Sequence, residues 1–279
     1  MPQFQTGRFL RWLAFGLSVY GLTLAGLIWA WYGVEGQTSF HWFEDSSEWL
    51  GMDKLGHCTA TFQVAAFALF ILQKAGAARR PASWIAALMG WLVVSSYELL
   101  DGLSPTYGAS WADLLANAGG ALLLPLQVRV FPRLMAIPKL SYYSHALAPL
   151  RPALLGSTMA DRWLKDYNGM TLWLSLDVNT VTNRKLLPPW MTVAVGYGAE
   201  GLLGGHDNVW TDANGAVHDY SQLARTQQFY LSLDLNVIYL RERLPERWRW
   251  LLMPLHLIKC PAPAIEWGAE GLRWHWVKI

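Results

Sequence analysis

The sequence predicts an α+β membrane protein: a bundle of about four transmembrane helices (residues 1–140), then a small β-rich, membrane-associated domain with amphipathic helices (residues 141–279). Three observations predict it. The 279 residues are 53% apolar and only 15% charged, whereas an average soluble domain is about 25% charged. Seventeen tryptophans suit a chain at a lipid–water boundary, because indole is apolar while its N–H needs a partner. Helix-length apolar runs then give way to short strand-like runs separated by turn residues. A net charge of +2 is too small to imply a nucleic-acid partner. Cys58 and Cys260 form neither a disulfide framework nor a metal-ligand spacing.

Phe9 to Tyr32 is an apolar run ending in Trp29, Trp31 and Tyr32. That end reads as an interfacial belt rather than a cleavage site, so the run is expected to be an uncleaved anchor. Gly56–Gln73, Ala82–Leu100 and Ser110–Phe131 each have the length of a crossing helix. Ser110 is the expected N-cap of the last. Gly119, Gly120 and Ala121 are small enough to let helices approach closely.

Positive residues fall in alternate segments: Arg8 and Arg11, then Lys74, Arg79 and Arg80, then Arg129, Arg133 and Lys139. The connections between carry Glu35, Glu44, Asp45, Glu48 and Asp53, then Glu98 and Asp101, with only Lys54 positive. The positive-inside rule therefore predicts a multi-pass inner (cytoplasmic) membrane protein with both termini and the β-rich half cytoplasmic.

In the second half, Ser157–Tyr167 reads as a short amphipathic helix with Asp161 and Lys165 as a surface pair. Thr171–Val178, Met191–Tyr197, Gln228–Tyr239, Ala264–Trp267 and Leu272–Lys278 read as strands. Glu246–Ile258 reads as a helix kinked at Pro254 and lying on the membrane. Two phrases recur, Leu174–Asn179 with Leu231–Asn236 and Gly198–Leu202 with Gly268–Leu272. Their offsets differ, so they predict two similar β-units in one sheet rather than a fixed-period repeat. His206–Gly215 loosely follows a calcium loop but lacks the closing Glu, and reads as a solvated hairpin.

The candidate site gathers at the non-cytoplasmic ends of the helices. Asp53 with His57, Glu98 with Asp101, and Asp113 with Asn117 are three or four residues apart, so each pair shares a helical face. The loop 104–110 would lower Tyr107 over them, and Ser110 lies beside them. Ionisable groups at membrane depth cost several kcal/mol and turn toward one another or a cavity. One reading makes Asp53, His57, Glu98, Asp101 and Asp113 a reactive site, His57 shuttling a proton or joining the acids around a metal ion such as Zn, Mn or Mg. Tyr107, Ser110 and Asn117 would then bind. The other reading, preferred on sequence, is a buried network fixing helix register.

Asp53-Lys-Leu-Gly-His57, Tyr97-Glu-Leu-Leu-Asp-Gly102 and Tyr107-Gly-Ala-Ser-Trp-Ala-Asp113 with Asn117 and Gly120 resemble the DUF2279 family of bacterial envelope proteins. That likeness continues through Ala148–Pro152, Lys165–Gly169 and Pro261–Glu266. A looser likeness over about residues 50–125 is to VanZ-like membrane proteins, which show Asp-Lys…His, Glu, then Asp…Asn…Gly, with Gln where this chain has Asp101. The resemblance implies an envelope-associated bacterial protein and names no reaction.

The expectation is thus a structural or accessory integral membrane protein, a subunit of a respiratory- or photosynthetic-type complex with the bilayer and other subunits as partners. The alternative is a membrane-embedded enzyme or binder acting on a lipid or lipid-linked envelope substrate. The sequence names no cofactor or metal.

Overall fold

The computed structural model describes residues 4–28, 37–212 and 214–278. Trp29, Trp31, Tyr32 and Glu35, expected at the first membrane boundary, lie outside the described residues. The chain forms two compact units, Met1–Ser46 with His57–Pro132, and Ser47–Gly56 with Arg133–Ile279.

The first unit is helical: α1 (Thr6–Leu27), α2 (Met52–Lys74, whose first turn belongs to the second unit), α3 (Arg79–Asp101) and α4 (Trp111–Val130). Two of these starts have a local cause. Ser110 caps α4, its hydroxyl accepting from the Asp113 N–H at 3.2 Å. Pro81 falls in the first turn of α3, where a missing N–H costs nothing. Thr6–Gly26, Glu48–Lys74 and Arg79–Asp101 are long and apolar enough to cross a membrane. Among the described residues three helices thus meet that measure, where about four were expected. The fourth, α4, is present, but it carries Asp113, Asn117 and Gln127 on its buried side.

Close approach decides how α2, α3 and α4 pack. A Cβ on Gly120 would lie 2.1 Å from the Cys58 carbonyl oxygen, and one on Gly90 would lie 2.8 Å from the Ala65 Cβ. Gly119, expected to share this role, faces open space. α1 is joined to α3 by polar contacts, Tyr20 to Ser96 at 2.7 Å and Thr23 to Tyr97 at 2.8 Å.

The second unit is built on an antiparallel sheet in the order β1-β2-β3-β6-β7-β8. The strands are β1 (Ala136–Tyr142), β2 (Met170–Leu176), β3 (Met191–Glu200), β6 (Thr226–Leu235), β7 (Ala262–Gly268) and β8 (Gly271–Lys278). β4 (Val209–Thr211) and β5 (Val217–Asp219) form a separate hairpin. Its turn is held by Asp212, whose carboxylate accepts from the Asn214 and Ala216 N–H groups. The helix expected over Ser157–Tyr167 is Met159–Lys165, and Asp161 closes a capping box with Thr158. The expected kinked helix is a 3-10 turn, Glu246–Leu252, followed by a short helix, Pro254–Leu257. Strand β1 was not anticipated.

The two recurring phrases meet. Asp177 and Asn236 each cap a short helix leaving the sheet, and the Asn236 amide donates to Asp177 at 3.1 Å. Gly201 and Gly271 occupy the same place in the other pair, with φ of 78° and 90°.

Residues Trp49, Leu50 and Gly51 all have positive φ, 53°, 53° and 80°. For the first two this costs about 1–2 kcal/mol each. The turn is held by the Trp49 N–H donating to the Gly205 carbonyl at 2.8 Å, and by the Tyr197 hydroxyl donating to the Leu50 carbonyl. Trp49, Leu50 and Met52 pack with Tyr142, Met170, Leu172 and Leu202. The acidic 35–53 connection and the β-rich half were expected on opposite sides of a membrane. Its end, residues 47–53, instead completes the core of the β unit, because its apolar side chains are buried there.

The Gly120 contact generates a paired test. Gly120→Ala should lower the thermal unfolding midpoint in detergent by several degrees, since a backbone carbonyl cannot move aside. Gly119→Ala should leave it unchanged or raise it, Ala being about 1 kcal/mol better in a helix.

Candidate functional site

The site is assembled by three helices of the first unit. His57 stands on the second turn of α2, Ser95 and Glu98 on the last turns of α3, and Asp113 and Asn117 on the first turns of α4. The close approach at Gly120 brings α2 and α4 near enough for short side chains to meet.

Asn117, with no exposed surface, is the junction. Its Oδ1 accepts from the Thr61 hydroxyl at 2.9 Å and contacts His57 Nδ1 at 3.2 Å, while its Nδ2 donates to Ser95 at 3.4 Å. A carbonyl oxygen only accepts, so His57 Nδ1 carries a proton. The opposite ring nitrogen, Nε2, faces the two acids: Asp113 Oδ2 at 3.8 Å and Glu98 Oε2 at 3.9 Å. Both distances exceed a hydrogen bond.

Glu98 and Asp113 are each 3% exposed, whereas the His57 side chain is 23% exposed. Two buried carboxylates beside one imidazole repel each other, and uncompensated buried charge costs several kcal/mol. A proton on Nε2, a neighbouring cation or a bound metal ion offsets that cost.

Part of the cluster holds the chain in place. Glu98 accepts from the Ser110 N–H, and the Ser110 hydroxyl donates to Asp45. These bonds fix the start of α4 against the segment 38–45, which also pairs through Phe43 N–H to Ala109 O at 2.9 Å and Ala109 N–H to His41 O at 3.1 Å.

Asp53 stands one turn before His57 on the continuous helix α2, so helix geometry alone puts it on the His57 face. The first unit by itself brings together the trio His57, Glu98 and Asp113. Within its own unit Asp53 accepts from the Tyr167 hydroxyl at 2.7 Å and pairs with Lys54 at 2.9 Å. Of the remaining expected residues, Asp101 ends α3, half-buried and outside this trio. Tyr107 is 38% exposed, and its N–H donates to the Ser104 hydroxyl.

Reasoning from sequence missed Thr61, Ser95, Asp45 and Tyr167. Thr61 was discoverable, four residues after His57 on one face. Tyr167 was not, being 114 residues from Asp53.

If Asn117 joins the helices, Asn117→Ala should lower stability by about 1–3 kcal/mol, because the Thr61, His57 and Ser95 groups lose their shared partner. The double variant with His57→Ala should cost less than the two single losses added, since both act through one network. Unfolding in detergent reads both quantities.

Comparison with known proteins adds one match. The family model described as a predicted periplasmic lipoprotein (DUF2279) matches residues 40–128. No curated protein and no solved structure matches the chain. The matched span contains Asp45, Asp53, His57, Glu98, Asp101, Ser110, Asp113 and Asn117, and it ends before the three later stretches in which the likeness also ran. The description associates the chain with the bacterial envelope. The segment that carries the whole cluster, residues 40–128, is the part of this chain that is similar to the DUF2279 family.

Proposed function

We propose that this is an envelope membrane protein whose His57, Asp113 and Glu98 form a divalent-cation site that works on a lipid or lipid-linked envelope molecule. One observation carries the reading, the orientation of the His57 ring. A ligating histidine donates its other ring N–H to a fixed acceptor, which is the part Asn117 plays. The Nε2 face then points toward carboxylates at distances too long for hydrogen bonds but suited to sharing one ion. Two ligands each about 2.1–2.4 Å from an ion stand up to about 4.8 Å apart. A bound ion would supply charge for polarising a phosphoryl or carbonyl oxygen; His57, partly exposed, is the protein group that a substrate would meet.

Specific contacts also support a structural or accessory role. Glu98, Asp45 and Ser110 are used to hold the start of α4, and Thr61, Ser95 and Asn117 to bind helix to helix. Metal content separates the two readings. The chain purified in detergent without chelator should retain about one divalent ion per molecule, by elemental analysis, on the proposed reading. Asp113→Asn and His57→Gln should lose it. Wild-type protein that neither retains nor takes up Zn, Mn or Mg leaves the accessory reading.

Membrane attachment on this reading comes from the apolar helices. The acidic connections support a periplasmic position for the cluster, in keeping with the family description. Because residues 47–56 and 133–279 form one unit, the β-rich half belongs on that side too. Single cysteines at Ser47 and Asn214, both exposed, should label with an impermeant maleimide from the periplasm. Labelling of Asn214 from the cytoplasm alone would return the β-rich half to the other face.

A further inference from the structure

The main sheet of the second unit buries its polar side and exposes its apolar side. Along β6, Gln228, Tyr230, Ser232 and Asp234 are buried, while Phe229, Leu231 and Leu233 are 52%, 49% and 39% exposed. The interior is a charged network. Lys139 and Asp234 pair at 2.7 Å with no side-chain exposure on either. Lys259 lies 4.5 Å over the Trp173 ring, and burial pushes its amine down to about 8. Lys278 lies over both Tyr143 and Tyr230.

Outside, strand register lines the apolar residues into rows. Val195, Leu231, Ile265 and Trp274 are successive cross-strand partners, as are Tyr197, Phe229, Trp267 and Leu272. Toward β1 and β2 this face is covered by the unit's own Trp49, Leu50, Met52, Trp163 and Tyr167. Across β6, β7 and β8 it is open, with Trp267, Leu272 and Trp276 at 67%, 76% and 78% exposure.

We propose that the outer face of β6–β8 rests on the acyl chains of the envelope membrane. This rests on the reading of the chain as a membrane protein, and adds a second contact to the one its helices make. A sheet in water turns its apolar side inward, and desolvating the Lys139–Asp234 pair is costly. Polar-in and apolar-out alternation is the pattern of strands whose surroundings are hydrocarbon. The residues of its β8 edge match a lipid surface. β8 itself carries Trp274 and Trp276, exposed at 53% and 78%, beside Arg273, whose side chain is 47% exposed. Tryptophan and arginine together suit the headgroup boundary and its anionic lipids. Because β8 is a sheet edge, and unpaired backbone in hydrocarbon costs several kcal/mol per group, the face lies at the headgroup–acyl boundary rather than across the bilayer.

The test is a nitroxide label at Leu231 or Ile265 in the full chain, with Cys58→Ser and Cys260→Ser, in nanodiscs containing anionic lipid. Collision with oxygen should exceed collision with a water-soluble nickel chelate at both sites, and the order should reverse for a label at Asn214 in the β4–β5 turn. Nickel prevailing at Leu231 and Ile265 puts the face in water and overturns the proposal. Neither reagent reaching them means a protein surface covers it, a second copy included, and overturns it equally. Should labelled chains misfold, quenching by acyl-brominated lipid gives the same decision without labels. The variant with Trp267→Phe, Trp274→Phe and Trp276→Phe should lose a substantial share of the quenching, and unchanged fractional quenching counts against the proposal. Alkaline extraction of membranes distinguishes the underlying reading. A chain that stays in the membrane while Leu231 reports water overturns the sheet contact alone, whereas a chain released by alkali overturns the membrane reading itself.

Discussion

The helical unit depends on one contact, the passage of Gly120 against the Cys58 carbonyl. With no side chain on α4 at that point, α2 comes close enough for Asn117 to reach Thr61 and His57 on one side and Ser95 on the other. A side chain as short as asparagine spans three helices only at such separations. The amide then settles the imidazole: because its oxygen accepts, His57 presents a protonated Nδ1 inward and its Nε2 toward Asp113 and Glu98. Backbone proximity, ring orientation and the chemistry open to the cluster are therefore one chain of consequence.

The polar groups divide by what they hold. Glu98, Ser110 and Asp45 stitch the beginning of α4 to the preceding loops. His57 turns its Nε2 toward Asp113 and Glu98. A buried network that only fixed register would serve as well with its bonds closed at hydrogen-bond length. The 3.8 and 3.9 Å distances around Nε2 are the observation behind the proposed cation site.

The β unit faces a similar problem of charge in a dry place and meets it differently. Lys139 and Asp234 are paired outright, and Asp234 also accepts the Cys260 N–H at 3.1 Å. Trp173 donates to Ser141 at 2.8 Å, Ser175 and Thr192 bond at 2.8 Å, and His275 meets Glu266 at 2.7 Å. Satisfying these groups internally lets the apolar residues of the same strands face outward.

The sequence by itself determined what depends on neighbours along the chain. Apolar length marks the helices, Ser110 is legible as a cap because its partner is three residues on, and three- or four-residue spacings show which acids share a face with His57 or Asn117. Alternation in β6 is equally plain. Only the tertiary structure decided which of two equivalent alternatives is realised. Alternation separates Gln228, Tyr230, Ser232 and Asp234 from Phe229, Leu231 and Leu233, but a strand with period two has two faces and no local signal for which is interior. Strand β1 was invisible because its burial rests on Lys139 finding Asp234, 95 residues away. The His57 ring has two nitrogens, and only Asn117, reached across the gap that Gly120 leaves, determines which of them meets the acids.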